Sequence, residues 1–107
     1  MASRHLARSI AMRCLFEWYF HGRKDNTLPA LLERNKKEFG LGLEEEYEFI
    51  DLLVRGVVGN IAQIDSIIEK AAPAWPLEQI TAVDRAILRL SLYELLFGSH
   101  DEVPPKV

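Results

Sequence analysis

Apolar residues return at three- and four-residue steps along almost the whole chain. Ala7, Ile10, Ala11, Cys14, Leu15 and Trp18 form one such stripe, which predicts an amphipathic helix over 4–20. Ser3 is placed to cap its start, and His21-Gly22 to end it. After the polar connector Arg23-Lys24-Asp25-Asn26, Thr27 stands where a cap is needed and Pro29 falls in a first turn. Leu28, Leu31, Leu32 and Phe39 then supply one face of a second helix, which Gly40 ends. No alternating stretch bounded by turn residues occurs, so the expected fold class is all-α.

A third pattern runs through Tyr47, Ile50, Leu53, Val54, Val57 and Val58, then Ile61, Ile64, Ile67, Ile68 and Ala71. It is long for one globular helix. Gly59-Asn60 offers a stop followed by a start, which predicts two helices meeting at an angle. The alternative is a straight rod in which Gly56 and Gly59 admit a close neighbour. Pro73 and Pro76 impose a connector around Trp75, and a fifth helix follows with Ile80, Val83, Ile87, Leu88, Leu90, Leu92, Leu95 and Leu96. Between 82 and 97 its polar residues are Asp84, Arg85, Arg89, Ser91 and Glu94 alone. So apolar a circumference belongs at the centre of a bundle.

The length of 107 residues suits a single domain over 1–107, divided into an N-terminal sub-bundle (1–59) and a partial C-terminal one (60–107). With 49% apolar and 27% charged residues the chain is expected to fold as a globular protein. Its one cysteine, Cys14, excludes an internal disulfide framework and a cysteine-rich zinc site. Arg89 and Glu94 interrupt the richest apolar stretch, so no membrane span is expected. Arg4, Arg8 and Arg13 interrupt any signal-peptide core, which makes the cytoplasm the expected location.

The net charge of −3 conceals an asymmetry. Residues 1–24 hold five lysines and arginines against Glu17 alone, while the remainder holds fifteen acids against eight bases. A basic leading helix on an acidic body points to an anionic partner at one end. Arg4 and Arg8 share a helix face, with His5 adjacent. Cations in a first helical turn are unfavourable by about a few tenths of a kcal/mol each, so local stability does not account for them. A phosphate backbone brought to that end is attracted by both the guanidinium groups and the helix terminus.

Other chemistry is sparse. There is no Gly-rich phosphate loop, no metal-spaced His/Glu pair and no nucleophile elbow. His5, His21 and His100 are scattered, and neither a metal site nor a cofactor is expected. Cys14, on an apolar stripe, reads as a buried small hydrophobe. Glu44-Glu45-Glu46 reads as a set of acids favouring the start of a helix.

Three stretches together resemble the NusB transcription antitermination family. They are Ala7-Arg8-Ser9-Ile10-Ala11-Met12-Arg13-Cys14-Leu15-Phe16-Glu17-Trp18 preceded by Ser3-Arg4-His5; Leu53-Val54-Arg55-Gly56-Val57 leading through Asn60 to Ile64-Asp65; and, most specific, Val83-Asp84-Arg85-Ala86-Ile87-Leu88-Arg89-Leu90 with Tyr93-Glu94-Leu95-Leu96 and Val103-Pro104-Pro105-Lys106-Val107. The resemblance implies a helical fold of two small sub-bundles and no enzymatic activity. It implies binding of boxA-type leader RNA through an arginine-rich N-terminus, in company with NusE, a small-subunit ribosomal protein, within the RNA polymerase antitermination complex. Carried onto this chain, the RNA-contacting arm falls on Arg4, His5 and Arg8, with His5 and Leu6 standing where the family usually has further arginines. Phe16 and Asp84 fall where the family places residues near its RNA and NusE surfaces.

The resemblance also implies further helices after Pro104-Pro105-Lys106-Val107, where this sequence ends. The expectation is an incompletely covered helix 82–97 and a homo-oligomer formed through it. Two other functions stand as alternatives: a helical protein-interaction module without RNA binding, and the NusB-like RNA-binding domain of a ribosomal RNA methyltransferase. The latter needs a cofactor-binding segment that these residues do not contain.

Overall fold

The computed structural model describes residues 2–74 and 79–97. Five helices follow one another: α1 (Ala2–Phe20), α2 (Leu28–Phe39), α3 (Tyr47–Gly59), α4 (Ile61–Ala71) and α5 (Ala82–Phe97). Short 3-10 turns, Asp25–Thr27 and Glu44–Glu46, lead into α2 and α3. Among the described residues there is no strand, and no helix is long and apolar enough to cross a membrane. The connector at Trp75-Pro76 and the Val103–Val107 segment lie outside the described residues.

The predicted stripe of α1 is the spine of the core. Ala7, Ile10, Ala11, Cys14, Leu15 and Trp18 are all buried, and they pack against α2, α3 and α5. Ser3 lies inside α1 and does not cap it, because the helix already runs at Ala2. At the other end Gly22 (φ 92°) and Arg23 (φ 58°) take left-handed backbone, and the Arg23 amide donates to the Trp18 carbonyl at 2.8 Å. Thr27 precedes α2 without a side-chain capping bond, its hydroxyl donating back to the Lys24 carbonyl at 2.6 Å. Phe39 is exposed instead of closing the core; the Arg13 guanidinium lies 4.0 Å from its ring centroid.

The long third pattern breaks at the predicted place. The Asn60 amide closes α3 on Gly56 and Val57, and its side chain donates to the Gly56 carbonyl at 2.8 Å before α4 sets off. The glycine alternative also holds in part, because Gly56 faces the Tyr93 ring of α5 at close contact. Cys14 is fully buried, and burial, with Glu17 nearby, pushes its thiol pKa up to about 12.

The helix α5 departs most from expectation. It packs against α1, α3 and α4, but it is α1 that occupies the middle of the bundle. Arg85, Ala86, Arg89, Leu90, Tyr93 and Glu94 face inward, whereas Val83, Ile87, Leu95 and Leu96 are exposed. Arg85, Arg89 and Glu94 are therefore inside, Asp84 alone of its charges is exposed, and much of its apolar surface is outside. Each inward charge has a partner to justify its burial. Arg89 grips both oxygens of Asp65 on α4 at 2.8 Å, Glu94 meets Arg8 of α1, and Arg85 donates to the Tyr19 hydroxyl and, at 2.9 Å, to the Ile80 carbonyl. Thr81 caps the helix, its hydroxyl accepting from the Asp84 amide at 3.1 Å.

Candidate nucleic-acid interface

The leading face of α1 carries Arg4 and Arg8 one turn apart, and α3 lays Phe49 beneath both. The Arg4 guanidinium carbon is 3.9 Å from the ring centroid and that of Arg8 is 5.5 Å away. Neither arginine is the free cation that the sequence suggested. Arg4 donates through Nε to Glu46 at 2.7 Å, and Arg8 through Nε to both oxygens of Glu94 at 2.9 and 3.1 Å. Glu44, Glu45 and Glu46 form the turn that leads into α3, as the acidic run suggests, and Glu46 in addition serves Arg4; Glu44 accepts from the Gly42 amide.

The pairing leaves an open side. The Arg4 and Arg8 side chains remain 29% and 33% exposed, while those of Glu46 and Glu94 are only 11% and 10% exposed. The carboxylates thus sit underneath the arginines. The terminal Nη groups of both make no hydrogen bond to a described residue, so their donors are available to a phosphate arriving from solvent.

His5 is exposed and turns away from the Phe49 side. With Arg8, Ser9, Met12, Ile87 and Glu94 it lines a shallow recess of about 240 Å³ between α1 and α5. Met12 is shared with a second cavity of about 270 Å³, walled by Arg13, Phe16, Glu17 and Val83. The two recesses follow one another along α1, each with a wall from α5. Phe16 is half-buried and stacks on exposed Phe20, with ring centroids 5.7 Å apart. Asp84, next to Val83 in the first turn of α5, is exposed. The five predicted residues thus fall at two places along α1: Arg4, His5 and Arg8 at its start, and Phe16 with the start of α5 farther on.

Three residues of the arrangement escape sequence reasoning: Glu46, Phe49 and Glu94. Glu94 leaves a signal, as an isolated acid in an apolar helix that also holds two arginines. Phe49 and Glu46 leave none, since their partners are 45 and 42 positions away for Arg4, and only packing brings them together. Among the described residues no cluster of His, Cys, Asp and Glu could hold a metal ion.

The model of the NusB family matches residues 5–107. The transcription antitermination protein NusB of Roseiflexus castenholzii is 40% identical over 107 residues, covering 99% of this chain and 72% of that protein. The protein of the same name from Chloroflexus aggregans is 36% identical over 105 residues, covering 98% of this chain and 67% of its own length. That of Carboxydothermus hydrogenoformans is 33% identical over 106 residues, covering 98% and 74%. No solved structure matches. The similarity extends from the cationic turn of α1 through the inward charges of α5, and on that breadth the chain belongs to the NusB family.

Proposed function

We propose that this chain is an RNA-binding subunit of a transcription antitermination assembly, acting without a catalytic step. Arg4, His5 and Arg8 meet single-stranded leader RNA of the boxA type. Phe16 and Asp84 belong to the surface that NusE, the small-subunit ribosomal protein, shares, and the pair acts on RNA polymerase. In this reading residues 1–59 form the sub-bundle that carries the cationic turn, and 60–107 the beginning of a second. The observation that carries the reading is the posture of Arg4 and Arg8, side by side over Phe49 with open Nη donors. The relatives, which bear the name transcription antitermination protein NusB, support it.

Electrostatics divides the labour. RNA is attracted to the first turns of α1 and repelled by the acidic remainder, so the strand is confined to the cationic end. A basic ribosomal protein has the opposite preference and docks on the acidic body. The outward stripe Val83, Ile87 and Leu95 of α5, with Ser91 along it and exposed Asp84 at its leading end, is the surface through which a second copy packs.

The test is titration of a labelled single-stranded boxA RNA at two salt concentrations with Arg4→Ala and Arg8→Ala. Each substitution is expected to weaken binding and to lower the logarithmic salt slope by roughly 0.7, the value for one phosphate contact on a single strand. Unchanged affinity in both variants removes the arm from the mechanism.

A further inference from the structure

The two arginines are held in an unusual way for surface cations, and the manner of holding carries a role for the residues beneath them. A carboxylate that simply neutralises an arginine commonly takes it fork to fork, occupying the terminal amino groups. Here Glu46 and Glu94 take only Nε, at 2.7 Å for Arg4 and at 2.9 and 3.1 Å for Arg8. Phe49 supplies a floor against which the Arg4 guanidinium lies at 3.9 Å. Both carboxylates are largely buried, and they come from separate elements, Glu46 from the turn before α3 and Glu94 from α5. The start of α1 is thereby tied to two neighbours, although its cations oppose the helix dipole.

From this geometry we infer that Glu46 and Glu94, with Phe49, are positioning residues: they grip Arg4 and Arg8 by Nε and present the Nη donors, already oriented, to RNA phosphates. The inference rests on the RNA-binding reading above and deepens it. An unheld arginine must surrender its rotamer freedom when RNA arrives, a cost of binding that preorganisation removes. Acids beside a phosphate site would ordinarily weaken it. In this arrangement the carboxylates are largely buried and meet the guanidinium groups at the Nε edge, and the repulsion is outweighed by donors fixed in place. Glu45 and Glu48, which line a recess of about 140 Å³ beside Arg4 and Leu52, are not part of the grip, because neither bonds an arginine among the described residues.

The experiment compares Glu46→Ala, Glu94→Ala, Glu46→Gln and Glu94→Gln with Arg4→Ala and Arg8→Ala. Affinity for single-stranded boxA RNA is measured together with the arginine Nε–H resonances of the free protein. Each Glu→Ala variant is expected to weaken RNA binding about two- to tenfold, the worth of one immobilised side chain, and to lose the hydrogen-bonded Nε–H signal of its partner. The Gln variants keep an acceptor for Nε–H, and are expected to stay within about twofold of the parent and to retain the signal. Tighter binding by the Ala variants would show that the carboxylates mask the arginines, and would overturn the inference. So would Gln variants that fall as far as Ala, which is the mark of a purely structural role. If Arg4→Ala and Arg8→Ala weaken binding while the Glu→Ala variants do not, the inference alone fails. If the arginine variants also leave affinity unchanged, the RNA-binding reading fails with it.

Discussion

The ring of Tyr93 fills the space that a side chain on Gly56 would occupy. A Cβ built at Gly56 overlaps two ring carbons and the hydroxyl oxygen of Tyr93, so α3 and α5 approach at this point only because residue 56 has no side chain. Gly59, one turn on, has nothing within 4 Å of such a Cβ. The two glycines of one helix should therefore respond in opposite directions. Gly56→Ala is expected to destabilise the chain by about 1–3 kcal/mol through overpacking, despite the better helix propensity of alanine. Gly59→Ala, at a position without positive φ, is expected to stabilise it by about 0.5 kcal/mol. Urea midpoints of the two variants check the pair, and Tyr93→Leu should restore much of the loss in Gly56→Ala.

The buried ion pair between α4 and α5 makes a second prediction. Arg89 is 4% exposed in its side chain and Asp65 17%, with two parallel bonds of 2.8 Å. Asp65→Ala abandons a buried guanidinium and is expected to cost about 3 kcal/mol. Removing both charges, as Asp65→Leu with Arg89→Met, should recover most of that loss, because the site can be filled by apolar volume. A double-mutant cycle by chemical denaturation measures the coupling. A double variant as unstable as Asp65→Ala would show that the pair holds the helices in a way apolar packing cannot replace.

How far the sequence was legible depended on whether a residue's role was local. Helices, the break at Gly59-Asn60 and the buried stripe of α1 follow from periodicity and capping chemistry, and these agree with the structure. The orientation of α5 did not follow. Periodicity assumes that charge seeks water, whereas Arg85, Arg89 and Glu94 each find partners on other helices and turn inward. The candidate interface was half legible for the same reason. Arg4 and Arg8 announce themselves by opposing the helix dipole, but the ring and carboxylates that hold them come from α3, its leading turn and α5. Those depend on tertiary packing, which spacing along the chain does not encode.

Acid should loosen the α1–α2 contact through Glu17. Burial works against its carboxylate, but hydrogen bonds from Asn35 (2.7 Å) and Arg34 (2.7 Å) outweigh it and hold the pKa below the ordinary 4.5. As pH falls, the unfolded chain takes up this proton before the folded one does. The contribution to stability is complete above the ordinary glutamate value and is lost as pH falls through the lower folded value. Glu17→Gln keeps an acceptor for Asn35 but has nothing to titrate. Its stability should therefore decline less steeply than the parent's between neutral pH and pH about 3, as followed by urea unfolding at each pH. Equal slopes for the two proteins would remove Glu17 from the acid response.

Self-association through α5 is the remaining expectation, and it turns on the stripe that the helix directs outward. Val83, Ile87 and Leu95 are 44%, 45% and 66% exposed, at successive four-residue steps with Ser91 between them. Their exposure means that a charge introduced there meets water in the monomer and leaves the fold intact, whereas in a packed pair it would be desolvated. Ile87→Glu and Leu95→Glu should keep the helical content and the denaturation midpoint of the parent within about 0.5 kcal/mol. In sedimentation equilibrium at tens of micromolar, the parent is expected to sediment as a dimer or larger species and both variants as monomers. A parent that is monomeric at that concentration would show that this face does not join copies of the chain.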